Sequence, residues 1–178
     1  MAESAVAVPR RDFLEIVAIA GAAIGAGGIA WPLIDYMNPA KDVLALASVE
    51  VPLAPIDAGM AITVLWRGKP IFVRHRTPTE ITEAQNVKLS QLADPQTDAD
   101  RIKQGHDEWL VVVGICTHLG CIPLGNKPTD PRGAWGGWFC SFHGSQFDTS
   151  GRVRQGPAPT NLAIPPYNFM TDTRIKIG

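Results

Sequence analysis

Apolar positions along this chain form one long uninterrupted block followed by many short ones. From Ile16 to Ile34, 19 residues (IVAIAGAAIGAGGIAWPLI) pass without a charged side chain. As a helix, at about 1.5 Å per residue, the block spans roughly 28 Å, close to the hydrocarbon thickness of a bilayer. Small residues dominate it (Gly21, Ala22, Ala23, Gly25, Ala26, Gly27, Gly28). Such a surface suits a neighbouring helix in lipid and is poor for a soluble core. Trp31 stands near the far end, where an interfacial aromatic belongs. A cleaved leader would end in a small-x-small site, and the bulky Trp-Pro-Leu-Ile-Asp-Tyr supplies none. The pattern predicts one retained N-terminal transmembrane helix over residues 13–36.

After this block the pattern changes. Asn38–Ser48 carries a helix breaker at Pro39 and small residues without amphipathic period, so residues 37–48 read as a flexible tether. Stretched out, about a dozen residues reach roughly 40 Å. Residues 49–178 then break into short apolar runs divided by turns, the pattern of a small antiparallel β domain. Ala61–Trp66 and Lys69–His75 flank Arg67-Gly68 as a hairpin. Pro78–Gln85 reads as a short helix with Thr77 as its N-cap. Asp94–Glu108, the most polar stretch, is predicted to be an exposed helical insertion. The continuous apolar run Trp109–Gly114 predicts a buried strand, and shorter strands are expected at 138–140, 146–148, 152–154 and 174–177.

Composition adds exclusions. With 16 Lys and Arg against 17 Asp and Glu, the chain has no basic excess, which argues against a nucleic-acid partner. Three Cys are too few for a disulfide scaffold. The 17 Gly and 15 Pro fit turn-rich β-structure. Arg10-Arg11 ahead of the apolar block resembles the twin-arginine export signal, an address for proteins exported already folded, often with a cofactor in place. On that reading residues 1–12 stay in the cytoplasm, the anchor crosses a bacterial inner membrane once, and the head lies in the periplasm.

Candidate chemistry concentrates in two boxes, Cys116-Thr-His118-Leu119-Gly120-Cys121 and Cys140-Ser-Phe142-His143-Gly144-Ser145. Each offers a thiolate and an imidazole on one tight loop. A closed structural zinc site is one use of two Cys and two His. Zinc loops usually pair Cys with Cys at two to four residues' spacing, and Cys-x-His is unusual for them. The glycines that follow let backbone amides approach a sulfide. The other use is a 2Fe–2S centre with two Cys on one iron and two His on the other. His75, between Arg74 and Arg76, is expected to be exposed; His106 falls in the polar insertion; neither has ligand spacing. No carboxylate pair suggests acid–base catalysis.

Together these boxes resemble the Rieske iron–sulfur subunit of the bacterial cytochrome bc complex. The likeness extends to Trp31-Pro-Leu-Ile, Met37-Asn-Pro, Gly68-Lys-Pro-Ile-Phe-Val, Glu108-Trp-Leu-Val, Gly136-Gly-Trp-Phe-Cys140 and Gly151-Arg-Val-Arg-x-Gly-Pro-Ala-Pro-x-Asn-Leu162, nearly the whole chain. It implies a mainly β, antiparallel Rieske-type head (49–178) whose cluster-binding part is about 114–160. Cys116 and Cys140 would hold the inner iron of one 2Fe–2S cluster, and His118 and His143 the outer one. Ser145 would bond a bridging sulfide, and Gly156, Pro157 and Pro159 would cover the cluster. His143 would meet ubiquinol and take its proton, with Leu119 docking in the quinol pocket. The implied partners are the cytochrome b subunit, a c-type cytochrome subunit, ubiquinol and the membrane, within a dimeric multi-subunit complex. A Rieske subunit of a molybdenum oxidoreductase such as arsenite oxidase is the alternative, with a zinc domain more distant.

Two positions depart from the family. Most members carry a second Cys in the latter box, disulfide-bonded to the Cys closing the former; here that position is Phe142. With Cys116 and Cys140 on iron, Cys121 is expected to be unpaired, without a disulfide, and packed against Phe142. Phe147 replaces a Tyr whose hydroxyl would bond a ligand sulfur, which implies a somewhat lower reduction potential.

Overall fold

We describe a computed structural model of residues 9–40 and 47–178. Residues 1–8 and the 41–46 portion of the tether lie outside the described residues. The chain divides into two compact units, Met1–Leu44 and Ala45–Gly178.

The first unit contains α1, Arg10–Asp35, a 26-residue helix with no buried side chain. Its most apolar stretch has a mean hydropathy of 1.9. Length and composition suffice to cross a bilayer. The helix starts three residues ahead of the predicted anchor, because Pro9 is tolerated just before a first turn whose amides have no helical partner. Pro32 sits inside α1 and cannot donate to the Gly28 carbonyl, yet the helix continues one more turn, with the Tyr36 amide donating to the Pro32 carbonyl at 2.9 Å.

Among the described residues the second unit holds nine strands: β1 Val49–Pro52, β2 Ala61–Trp66, β3 Lys69–His75, β4 Trp109–Val113, β5 Gly136–Cys140, β6 Ser145–Asp148, β7 Val153–Gln155, β8 Tyr167–Thr171 and β9 Arg174–Ile177. One helix, α2, covers Pro78–Gln85. The strands form three antiparallel three-stranded sheets, ordered β1-β9-β8, β2-β3-β4 and β5-β6-β7. Successive side chains of a strand point to opposite faces. In β3 and β4, Ile71, Val73 and Val111 join a core with Val51, Leu53, Ile175 and Ile177 of the β1-β9-β8 side. Their alternates Phe72, Leu110 and Val112 join a second core with Trp138, Phe147 and Val153 of the β5-β6-β7 side. The β2-β3-β4 sheet is therefore the middle layer, which explains the unbroken apolar run of β4.

Both hairpin strands, 61–66 and 69–75, fall where the alternation places them. Helix α2 carries a full capping box: Thr77 accepts from the Glu80 amide, and Glu80 accepts from the Thr77 amide. Strands β1 and β8 escape the sequence reading because each has only two inward apolar residues among polar neighbours. The insertion 94–108 corrects an expectation. It holds a single short turn of helix, Ala99–Arg101, and two of its charges are buried, Asp98 and Arg101. His75, expected to be exposed, is half-buried because its ring stacks on Trp109 with centroids 4.2 Å apart, and its neighbours Arg74 and Arg76 are buried.

The reason is one network of buried charge. Arg76 donates to Asp98 through both terminal nitrogens, at 2.7 and 3.2 Å, and through Nε to the Asp107 carbonyl at 3.0 Å. Arg101 donates to the carbonyls of Ser150 and Leu162. Burial pulls the Arg101 guanidinium down to about 10, partly offset by nearby Asp148. Arg152 is paired with Asp148 at 2.9 Å and donates to the Ala84 carbonyl at 2.8 Å. The polar stretch thus clamps the middle sheet to the segment following β6.

Candidate metal centre

Each box follows the end of a strand. Cys140 ends β5, and Cys116 lies three residues past β4. Both chains then turn in the same way. The Gly120 amide donates to the Cys116 carbonyl at 2.9 Å, and the Gly144 amide donates to the Cys140 carbonyl at 2.9 Å. Both glycines have positive φ, +81° and +78°, which side-chain-bearing residues rarely adopt. The first turn is closed further by the Cys116 amide donating to the Cys121 carbonyl at 2.7 Å.

The turns bring their ligand-type side chains together as two groups, three sulfurs and two imidazoles. The sulfurs of Cys116, Cys121 and Cys140 lie within 4.8 Å of one another. Cys116 and Cys140 are buried. The His118 and His143 rings meet edge to face with centroids 4.7 Å apart, His118 half-buried and His143 exposed. Leu119 and Phe142 flank them, 72% and 75% exposed.

A third segment covers the boxes. The Ala158 amide donates to the buried Ser145 hydroxyl oxygen at 3.2 Å. That leaves the Ser145 hydroxyl proton free to be donated elsewhere. Thr117 donates to the Thr160 carbonyl at 2.6 Å. A Cβ on Gly156 would stand 2.5 Å from the Ser145 Cα, so only glycine lets the loop lie this close. Pro157 and Pro159 are exposed on its outer side. Loop 126–135 is pinned alongside: Trp138 donates to Asn126 at 2.8 Å, and Asp130 accepts from the amides of Lys127 and Gly125. Those amides hold the Asp130 carboxyl below its ordinary range. Phe147 is buried in the second core together with Cys140.

Two expectations about cysteine need correction. Cys121 is joined to Cys140 in a disulfide, and Cys116 is the free thiol. The expectation of an unpaired Cys121 fails because the first turn presents its sulfur directly to the end of β5. Phe142 does not pack over Cys121 and is instead exposed, since the Cys140–Gly144 turn aims its ring outward. The Thr117–Thr160 tie was missed, and nothing in the sequence marks a threonine on one loop as the partner of a carbonyl on another.

The donor chemistry fits a 2Fe–2S cluster: two buried cysteine sulfurs and two imidazoles, one exposed and one half-buried, provided Cys140 is a thiolate rather than bonded to Cys121. Comparison with known proteins agrees in kind. Residues 80–167 match the Rieske [2Fe-2S] domain model, and residues 1–40 match the twin-arginine signal model of the ubiquinol–cytochrome c reductase iron–sulfur subunit. The ubiquinol–cytochrome c reductase iron–sulfur subunit of Rickettsia felis is 57% identical over 169 residues, covering 95% of this chain and 93% of that protein. The chain belongs to this family. The subunit of Rhodospirillum rubrum is likewise 57% identical, over 95% of this chain and 91% of its own. Among solved structures, a hyperthermophilic respiratory complex III matches with a TM-score of 0.59 and 27% identity, over 90% of this chain and 98% of that one. Within this Rieske family, the antiparallel head and the apolar N-terminal helix are the expected architecture.

Proposed function

We propose that this chain is the electron-transfer subunit of a respiratory cytochrome bc complex, carrying one electron from ubiquinol to a c-type cytochrome. The observation that carries the reading is the edge-to-face pair of imidazoles, His143 exposed and His118 half-buried, on the same two turns as the buried Cys140 and Cys116. A structural zinc site needs no exposed ligand, whereas a centre that takes electrons from a quinol must be reachable. The relatives above are named for this reductase, so the arsenite oxidase alternative is not carried forward.

Cys116, Cys140, His118 and His143 would hold the cluster. When bound, the cluster supplies a one-electron acceptor whose potential is raised because neutral imidazoles replace two thiolates. His143 accepts the quinol's hydrogen bond at its outward ring nitrogen and takes the proton there as the electron leaves the quinol. Leu119 enters the quinol pocket of the cytochrome b subunit and excludes water from that contact. Ser145, whose hydroxyl oxygen accepts from the Ala158 amide, would donate its hydroxyl proton to the bound cluster, and Gly156, Pro157 and Pro159 would shield the site from solvent. The N-terminus stays in the cytoplasm, α1 crosses the inner membrane, and the head works in the periplasm, tethered by residues 37–48.

The direct test is quinol-driven cytochrome c reduction by the purified complex. Leu119→Ala should raise the KM for quinol and leave the reduced-cluster spectrum intact. An unchanged KM would remove Leu119 from the quinol contact, and a complex that reduces cytochrome c without this subunit would refute the role.

A further inference from the structure

We infer that Cys140 has two mutually exclusive partners, iron and Cys121, and that oxidation of the iron-free head to the Cys121–Cys140 disulfide locks it against the cluster. The inference rests on the proposed role of Cys140 as an iron ligand and adds Cys121 as the residue that competes for it.

Three observations support it. The chain has three Cys, and position 142 offers a phenyl ring pointing to solvent, 75% exposed. Any intrachain disulfide must therefore consume at least one of the two ligand cysteines. The geometry selects which one, since Cys121 and Cys140 are joined while the buried Cys116 is free. Both turns are closed by backbone hydrogen bonds of 2.7–2.9 Å that involve no sulfur, so Cys121 remains within reach of Cys140 whichever partner Cys140 has.

The chemistry balances with a small-molecule disulfide as the oxidant. Cys121, half-buried where Cys116 and Cys140 are buried, is the accessible thiol. Its thiolate attacks the oxidant, forming a mixed disulfide and releasing one small thiolate. The Cys140 thiolate then attacks the Cys121 sulfur, forming the intrachain bond and releasing the second. Two protein thiols are oxidised, one disulfide is reduced to two thiols, and the two protein protons pass to the released thiolates. Afterwards Cys140 has no thiolate to give. Cys116, His118 and His143 are then three donors where the two-iron centre uses four. A dithiol reductant reverses the bond. Iron on Cys140 blocks the second attack, so a loaded head resists the lock and an emptied one in an oxidising compartment is captured by it.

The experiment uses the full-length chain in detergent, stripped of iron with a chelator under reductant, then exposed to oxidised glutathione. Denaturing alkylation and mass spectrometry should count one reactive thiol, at Cys116, and find the Cys121 and Cys140 peptides cross-linked. The untreated loaded protein should give all three thiols. Re-insertion of ferrous iron and sulfide, followed by visible absorption, should fail in the oxidised sample and recover with dithiothreitol. Cys121→Ser and Cys121→Ala should reload without reductant. Three free thiols after oxidation, a bond involving Cys116, or re-insertion indifferent to the disulfide would each overturn the inference. Failure of the underlying reading shows separately, as protein purified without iron and sulfide, whatever the thiol map.

Discussion

At the scale of single residues, the centre depends on atoms that are missing as much as on atoms present. Gly156 carries no Cβ because the Ser145 backbone already occupies that space, and its φ of +98° lies in the left-handed region. Gly156→Ala therefore meets both a clash with backbone and a strained conformation, a cost of about 1–3 kcal/mol for the strain alone. The cover should lift off the second box, so the variant is expected to lose its cluster to a chelator faster than wild type while keeping the rest of the fold. Equal loss rates, with equal thermal stability, would contradict the close-packed cover. That the two boxes form one site was legible in the sequence because two Cys-and-His loops, each with a turn glycine, are rare without a metal; their assignment to iron is part of the proposal. The Cys121 partner was not legible, since proximity of sulfurs depends on how two turns meet across strands.

At the scale of elements, the buried arginines hold the insertion onto the sheet sandwich. Asp98 receives two hydrogen bonds from Arg76 and a third from the Ser150 hydroxyl, with both charged side chains almost wholly buried. Removing one partner of such a pair leaves an uncompensated charge, which costs about 3–5 kcal/mol. Asp98→Asn should lower stability by that order in a denaturant titration; a loss under about 1 kcal/mol would show that the guanidinium finds water instead. Here sequence reading was weakest. Strands β2, β3 and β9 and helix α2 follow from alternation, run length and capping, which are local signals. A polar stretch reads as a solvated surface unless its charges find partners, and the partners of Asp98 and Arg101 are up to about sixty residues away in sequence.

At the scale of the molecule, a helix long and apolar enough to cross a membrane and a β head are separate units on either side, in sequence, of the predicted 37–48 tether. The end of that segment already belongs to the head, where the Trp66 indole donates to the Ala47 carbonyl at 2.7 Å. The predicted 37–48 tether is therefore fastened to the head at Ala47. On the proposed function the head collects an electron at one partner and delivers it at another by pivoting, so replacing residues 37–46 with a rigid proline-rich spacer should abolish cytochrome c reduction and spare cluster assembly. Full turnover with that spacer would refute the pivot.

The central claim is that two sulfurs and two imidazole nitrogens of this chain bind one 2Fe–2S cluster. Electron paramagnetic resonance of the dithionite-reduced chain, with nitrogen hyperfine couplings resolved by pulsed methods, tests it most directly. The account expects two coupled histidine nitrogens on a reduced 2Fe–2S signal, lost together with the cluster in His118→Leu and His143→Leu. A signal without nitrogen coupling, or a protein holding zinc and giving no signal, would contradict it.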